Sequence, residues 1–273
     1  MDFKLPKRFE NSNKSFYGRV LNVAGSDYMP GAAYLSSVSA LKIGCGYCFL
    51  CSTEKVIASV AAKTSNVVFL PIDRLREFIS SVDVVEIGCG LSQDNRAVEM
   101  FKITIESIDS STPILIDADG LNILAKNFEL FSQKELQSVV LTPHPKEAAR
   151  LLDWSLESVL SNVEFAAKQI SDKYNCVTVL KTHNTYICSS DGRDYQNFSG
   201  NNAMAKAGSG DVLTGMISGL LAQGMNTFEA SCLGVYLHGV CGDIAKNRLT
   251  EYSVMADDLI STVPDAINYY IQS

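Results

Sequence analysis

The sequence predicts an α/β protein, a three-layer α/β/α sandwich around a largely parallel central sheet, and two patterns predict it. Short runs rich in Val, Ile and Leu recur along the chain, as strands buried on both faces require. Stretches with helical periodicity lie between them and supply the crossovers that parallel strands need. In order, the strands are read at residues 19–24, 47–51, 67–70, 82–87, 113–116, 139–141 and 177–180, with helical stretches such as 31–43, 96–108 and 159–173 between them. At residues 185–198 two apolar or aromatic segments flank the turn pair Asp191-Gly192, which predicts a hairpin at the sheet edge. Three helices finish the chain, the first opening near Ser209 and running apolar from Val212 to Ala222.

A chain of 273 residues, 47% hydrophobic, can bury its core as one α/β domain over residues 1–273, and no linker, repeat or low-complexity tract divides it. The net charge of −7 and the absence of a basic cluster argue against nucleic acid and favour a small metabolite. Residues 1–17 are polar and mixed in charge, and no apolar run approaches the ~18 residues of a membrane span, so the expectation is a cytoplasmic protein without a membrane partner. Cys45, Cys48 and Cys51 form a Cys-x-x-Cys-x-x-Cys pattern. They fall in an apolar, aromatic run that reads as a strand, where a spacing of three alternates faces. Buried free thiols are therefore expected, with no metal ligands assigned.

In an open α/β sheet, ligands gather outside the carboxyl ends of strands. Those ends carry this chain's polar motifs: Gly25-Ser26-Asp27, Gly88-Cys89-Gly90, Asp117-Ala118-Asp119, Thr142-Pro143-His144-Pro145 and Lys181-Thr182-His183-Asn184-Thr185. The run Gly208-Ser209-Gly210-Asp211 opens the first closing helix. Its glycines let a ligand approach main-chain N–H groups, and the helix dipole aims positive charge at a phosphate or oxyanion. Asp211 at that mouth can cap the helix, position a hydroxyl or take a proton. Asp117 and Asp119 either face phosphates through a metal or cap the helix that follows.

Six segments in order, 23–33, 87–90, 117–122, 141–145, 208–215 and 234–239, closely resemble the ADP- or ATP-dependent NAD(P)H-hydrate dehydratases of the ribokinase-like superfamily. The resemblance covers nearly the whole chain. It implies repair of NADH or NADPH hydrated on the nicotinamide ring, by phosphorylation of the hydrate hydroxyl at the expense of ADP or ATP and elimination of phosphate, with Mg2+ as cofactor. It implies a hydrated-nicotinamide site that includes Ala32, Ala33, Gly90, His144 and Asp211, with Asp211 as catalytic residue. The nucleotide site it implies includes Lys181, Thr182, His183, Asn184, Thr185, Ser209 and Gly210. His238 resembles a family position too and is read as a packing residue. Three positions depart from the family pattern: Thr182 for glycine, Cys89 for proline, and Ala207-Gly208-Ser209 for Gly-Gly-Thr. The expected partners are hydrated NADH or NADPH, the nucleotide, and a separate NAD(P)H-hydrate epimerase, since no epimerase domain fits beside this one. A homotetramer is the assembly the resemblance implies. Two competing readings are a ribokinase-like kinase of a small alcohol or vitamin precursor, and a nucleotide sensor without turnover.

Overall fold

The computed structural model describes residues 3–272. Its strands are β1 (Arg19–Val23), β2 (Tyr47–Ser52), β3 (Val68–Pro71), β4 (Val84–Ile87), β5 (Ile114–Ile116), β6 (Val139–Leu141), β7 (Val177–Leu180), β8 (Tyr186–Ser189) and β9 (Asp194–Gln196). Its α-helices are α1 (Pro30–Lys42), α2 (Glu54–Ala61), α3 (Leu75–Phe78), α4 (Asn95–Ser107), α5 (Ala118–Lys126), α6 (Phe128–Ser132), α7 (Pro145–Leu152), α8 (Leu156–Ser161), α9 (Val163–Tyr174), α10 (Ser209–Ala222), α11 (Thr227–Leu249) and α12 (Ala256–Gln272). The strands form one sheet in the order β3-β2-β1-β4-β5-β6-β7-β8-β9. Every pairing from β3 to β7 is parallel, and β8 and β9 add antiparallel at the edge.

Two cores cover the two faces, as buried parallel strands require. Leu21, Val85, Ile87, Ile114 and Ile116 point to one, where Leu75, Phe101, Leu121, Leu151 and Ile170 bring in α3, α4, α5, α7 and α9. Val20, Val84, Leu115 and Val140 point to the other, which α1, α10, α11 and α12 close with Ala40, Ile217, Leu233 and Val263. Helix α10 is buried from Val212 to Ala222, because it packs on α1 and α11 as well as the sheet and has no wet face to keep polar. Cys45, which precedes β2, and Cys48 join the second core and Cys51 the first, so strand alternation separates Cys48 from Cys51 but not Cys45 from Cys48. All eight cysteines are buried and free.

One expected element divides. The stretch 159–173 is two helices, α8 and α9, because Asn162 leaves helical geometry and its side chain accepts from Phe165 N, starting α9 afresh. The hairpin forms as read, with the Arg193 amide donating to Asp191 Oδ1 across its turn. No helix among the described residues is long and apolar enough to cross a membrane.

Beneath the second core two buried acceptors lack a partner, Asn22 Oδ1 and Glu86 Oε1. Parallel register sets these residues opposite one another on β1 and β4. Asn22 Nδ2 donates to Ser36 Oγ at 2.7 Å and Ser37 Oγ at 2.9 Å, while Ser218 Oγ of α10 donates to Glu86 Oε2. Burial pushes Glu86 up to about 8, against the pull of the Ser218 and Ser36 hydroxyls and with help from Asp117 and Asp211. A neutral Glu86 avoids leaving a charge on a carboxyl whose Oε1 has no partner. Because the folded value lies above the ordinary 4.5, this contribution is complete at low pH and is lost as pH rises from about 4.5 through about 8. Glu86→Gln keeps a donor and cannot titrate. Across that window the parent should lose about 1.4 kcal/mol per pH unit more stability than the variant. Urea unfolding at a series of pH values measures the difference, and parallel curves for the two proteins would contradict it.

Candidate active site

The strand order reverses between β2 and β4 around β1, which opens a crevice at the carboxyl ends of β1 and β4. The loops that follow these strands meet there, Gly25 N donating to Cys89 O at 2.8 Å. Gly90 closes on the head of α1: it has φ +61°, and a Cβ added to it would lie 2.7 Å from the Ala32 Cβ. Any other residue would separate the two loops. Ala32 is partly exposed beside this contact, whereas Ala33 is wholly buried under Gly25. Of the two alanines, Ala32 alone has surface to offer a ligand.

The head of α10 faces this crevice. Gly208 takes a left-handed conformation at φ +92°, with Leu35 and Ala256 where a side chain would stand. The Ser209 N–H is held by Lys206 O at 3.3 Å, and Val212 N already bonds to Gly208 O. The N–H groups of Gly210 and Asp211 lie between, in the first turn, where the helix offers no carbonyl to them. With the dipole they form an anion site.

Lys181, after β7, brings a cation to that site. Its Nζ lies 3.6 Å from where a Gly210 Cβ would be and donates to Asp117 Oδ1 at 2.6 Å. Burial alone would lower the Lys181 pKa, but the carboxylates of Asp117 and Glu147 outweigh it and raise it. The other oxygen of Asp117 accepts from Thr214 Oγ1 at 2.6 Å. Of the two open readings of Asp117, the cap does not hold, since its side chain makes no capping bond to α5. Asp119 does not cap it either: its carboxylate accepts from Ser92 N and Gln93 Nε2.

Asp211 occupies the third position of α10. Burial raises its pKa to about 6, with the Asp117 charge adding to the rise and the Cys89 thiol and Lys181 opposing it. Near neutral pH it is a carboxylate poised to accept a proton. Cys89, where the family pattern has proline, thus places a thiol against this group.

A cleft of about 740 Å³ extends from the anion site. His144, Lys181, Thr182, His183, Thr185, Ser209 and Gly210 line it; Asn184, Asp211, Ala32 and Gly90 lie outside the lining. Thr182 Oγ1 donates to Asn184 O at 2.8 Å and Thr185 Oγ1 to Thr182 O at 3.4 Å. The threonine in place of glycine thereby ties the loop to itself. His238 is more than the packing residue read from sequence. It is buried, but it also lines the cleft, with Nε2 3.4 Å from Ser209 Oγ. Burial lowers its pKa to about 4, so it stays neutral. Thr214 and Glu147 lie within the sequence motifs but were given no role from sequence. The signal for Glu147 was present in the spacing His-x-x-Glu ahead of an apolar run, which is a capping-box spacing.

Comparison with known proteins places this site in context. The family model described as NAD(P)H-hydrate dehydratase matches residues 20–265. The chain is similar to the bifunctional NAD(P)H-hydrate repair enzyme Nnr of Moorella thermoacetica, 38% identical over 96% of this chain and 51% of that one. It therefore spans about half the length of that relative. The ADP-dependent (S)-NAD(P)H-hydrate dehydratase of Neisseria meningitidis is 37% identical over 88% of this chain and 81% of its own. Among solved structures, the ADP/ATP-dependent NAD(P)H-hydrate dehydratase of Bacillus subtilis, co-crystallised with ATP and Mg2+, superposes with a TM-score of 0.84. It is 28% identical and covers 97% of this chain and 94% of that chain. The α/β architecture is ribokinase-like.

The Lys181–Asp117 pair is the part of the site whose removal is most easily read in stability. Both side chains are largely buried, at 20% and 2% exposure. Asp117→Ala leaves an ammonium without its carboxylate and should cost about 3–5 kcal/mol, measured from urea unfolding at neutral pH. A loss below about 1 kcal/mol, the range of an exposed pair, would show that the pair does not hold these elements together.

Proposed function

The chain belongs to the NAD(P)H-hydrate dehydratase family, and from that premise we propose that it dehydrates the S epimer of hydrated NADH or NADPH at the expense of ADP or ATP. The observation that carries the reading is Asp211 in the first turn of α10, a carboxylate with an elevated pKa beside free N–H groups and the Lys181 ammonium. Carboxylate and anion site are what phosphorylation of an alcohol needs at one point.

Asp211 accepts the proton of the hydrate hydroxyl as its oxygen attacks the terminal phosphoryl group of the nucleotide. The N–H groups of Gly210 and Asp211, with Lys181, stabilise charge on the transferring group. AMP departs when ADP is the donor. The new ester then loses phosphate, taking the C–O electron pair, while the neighbouring ring carbon gives up a proton and the ring double bond returns. Water has then left the dinucleotide as the net change. Phosphorylation turns hydroxide, a poor leaving group, into phosphate.

Among the described residues no three His, Cys, Asp or Glu side chains converge as a metal cage. The site suits a magnesium ion carried by the nucleotide phosphates with water, the usual form for this ion, where it neutralises phosphate charge. Residues Lys181, Thr182, His183, Asn184, Thr185, Ser209 and Gly210 are the proposed nucleotide contacts, and Ala32, Gly90, His144 and Asp211 those to the hydrated ring. Ala33 supports that ring site from beneath. The reading brings with it a separate epimerase for the other epimer, a cytoplasmic setting and a homotetramer, whose mass sedimentation would measure.

Purified protein with hydrated NADH, magnesium and ADP or ATP should regain the absorbance of reduced nicotinamide. A stable phosphorylated product would instead identify a kinase. Asp211→Asn should lower kcat/KM by about 10²–10⁴-fold. In the parent, kcat/KM should rise with pH through about 6 as Asp211 ionises. An equally active variant would remove Asp211 from the catalytic role.

A further inference from the structure

The nucleotide cleft occupies one end of the crevice, and a groove at the other end has no assigned occupant. His144, Lys181 and Asn197 set the cleft beyond β6, β7 and the edge hairpin. The hydrated ring is placed between that cleft and β1, at Ala32, Gly90 and Asp211. A dinucleotide held there by its ring cannot run on into the cleft, where the nucleotide is placed, so its other half leaves over β1 and β2, on the opposite side in the strand order. A groove of about 290 Å³ starts at that point and opens into a hollow of about 570 Å³. Met29 and Leu91 line its near end, and the Met29 Cβ is 3.0 Å from where a Gly90 Cβ would stand. Asp27, Thr53 and Arg96 line both spaces and join them.

The charged groups of the inner stretch are engaged, with one exception. Asp27 accepts from Lys55 Nζ at 2.7 Å and from Thr53 Oγ1 at 3.2 Å. Asp94 caps α4 by accepting from Ala97 N at 2.9 Å. Arg96 is exposed and makes no hydrogen bond or ion pair among the described residues. Tyr28, in the same groove, is 96% exposed and likewise without a hydrogen bond or ring contact among them. A guanidinium with open donors and a free aromatic face are what a phosphate linked to a base can use. Glu54 and Asp73 line only the outer hollow, past β2 and β3, which leaves the inner stretch as the place suited to a phosphate.

We propose that this groove takes the adenosine-phosphate half of the hydrated dinucleotide, with Arg96 donating to the adenosine-side phosphate and Tyr28 stacking on the base. This rests on the assignment of the crevice to hydrated NADH or NADPH. Arg96 is then a specificity-determining residue: it distinguishes the dinucleotide from its nicotinamide half and touches none of the reacting atoms.

The test compares two substrates on the purified full chain with magnesium and ADP or ATP. One is hydrated NADH; the other is hydrated reduced nicotinamide mononucleotide, which keeps the ring, its ribose and the first phosphate but lacks the adenosine phosphate. Arg96→Gln should raise KM for hydrated NADH about ten-fold, as loss of one charge-assisted hydrogen bond implies, with little change in kcat and none in KM for the mononucleotide. Arg96→Lys, which keeps the charge without the planar fork, should recover part of the loss. Tyr28→Ser should raise KM for hydrated NADH alone by about the same factor, through lost stacking. Neither side chain is held by the fold, so the urea midpoints of the variants should match that of the parent. An unchanged KM for hydrated NADH in Arg96→Gln overturns the proposal, as does an equal rise for both substrates. A parent that turns over neither hydrate overturns the assigned substrate, and the proposal falls with it; the Arg96 result in an active parent judges the groove alone, so the two failures are distinguishable.

Discussion

The carboxylate of Asp117 is the constraint on which the site depends. It stands at the end of β5, 1% exposed, and receives one donor from Lys181 after β7 and another from Thr214 in α10. A carboxylate taken out of water must be paired and hydrogen-bonded. Satisfying this one places a cation and a helix head side by side. Such a buried pair adds little net stability compared with apolar packing, but breaking it is costly, which makes it a device of register. The anion site is assembled because Asp117 needs both partners.

The same constraint sets the chemistry of Asp211. Two carboxylates near one lysine compete for it, and Asp117 holds it at 2.6 Å. Asp211 is left with burial and a neighbouring negative charge, which raise its pKa to about 6. Glu147 at about 7 and Glu86 at about 8 are raised by burial first as well. Asp117, Asp211 and Glu147 collect at the carboxyl ends of the strands, where α5, α7 and α10 begin. The positive ends of those helices partly offset the concentration of charge.

Much of the fold was legible because its determinants are local. Strands buried on both faces need largely apolar runs, and β1, β4, β6 and β7 have them, interrupted at Asn22, Glu86 and Thr178. Alternation along β2 alone separates Cys48 from Cys51. The division of 159–173 was missed because apolar periodicity runs through both halves, though Asn162 is a good capping residue. In the site, the glycines before α10 and the polar residues ending each strand were visible as motifs. The pairing of Asp117 was not, since its partners lie 64 and 97 residues away and nothing near Asp117 distinguishes a counter-ion from a cap.

By itself, the sequence determined the layered α/β architecture, a glycine-led helix head suited to an anion and the presence of Asp211 at its mouth. Each follows from side-chain period, glycine conformation and dipole direction within a few residues. Only the tertiary structure decided that Ala32 and not Ala33 has exposed surface at the crevice, that Lys181 is bound to Asp117, and that Glu147 faces the ring of His144. Those outcomes depend on which buried groups meet across the sheet. Burial makes such meetings obligatory, because a polar group removed from water must find its partner wherever the chain brings one.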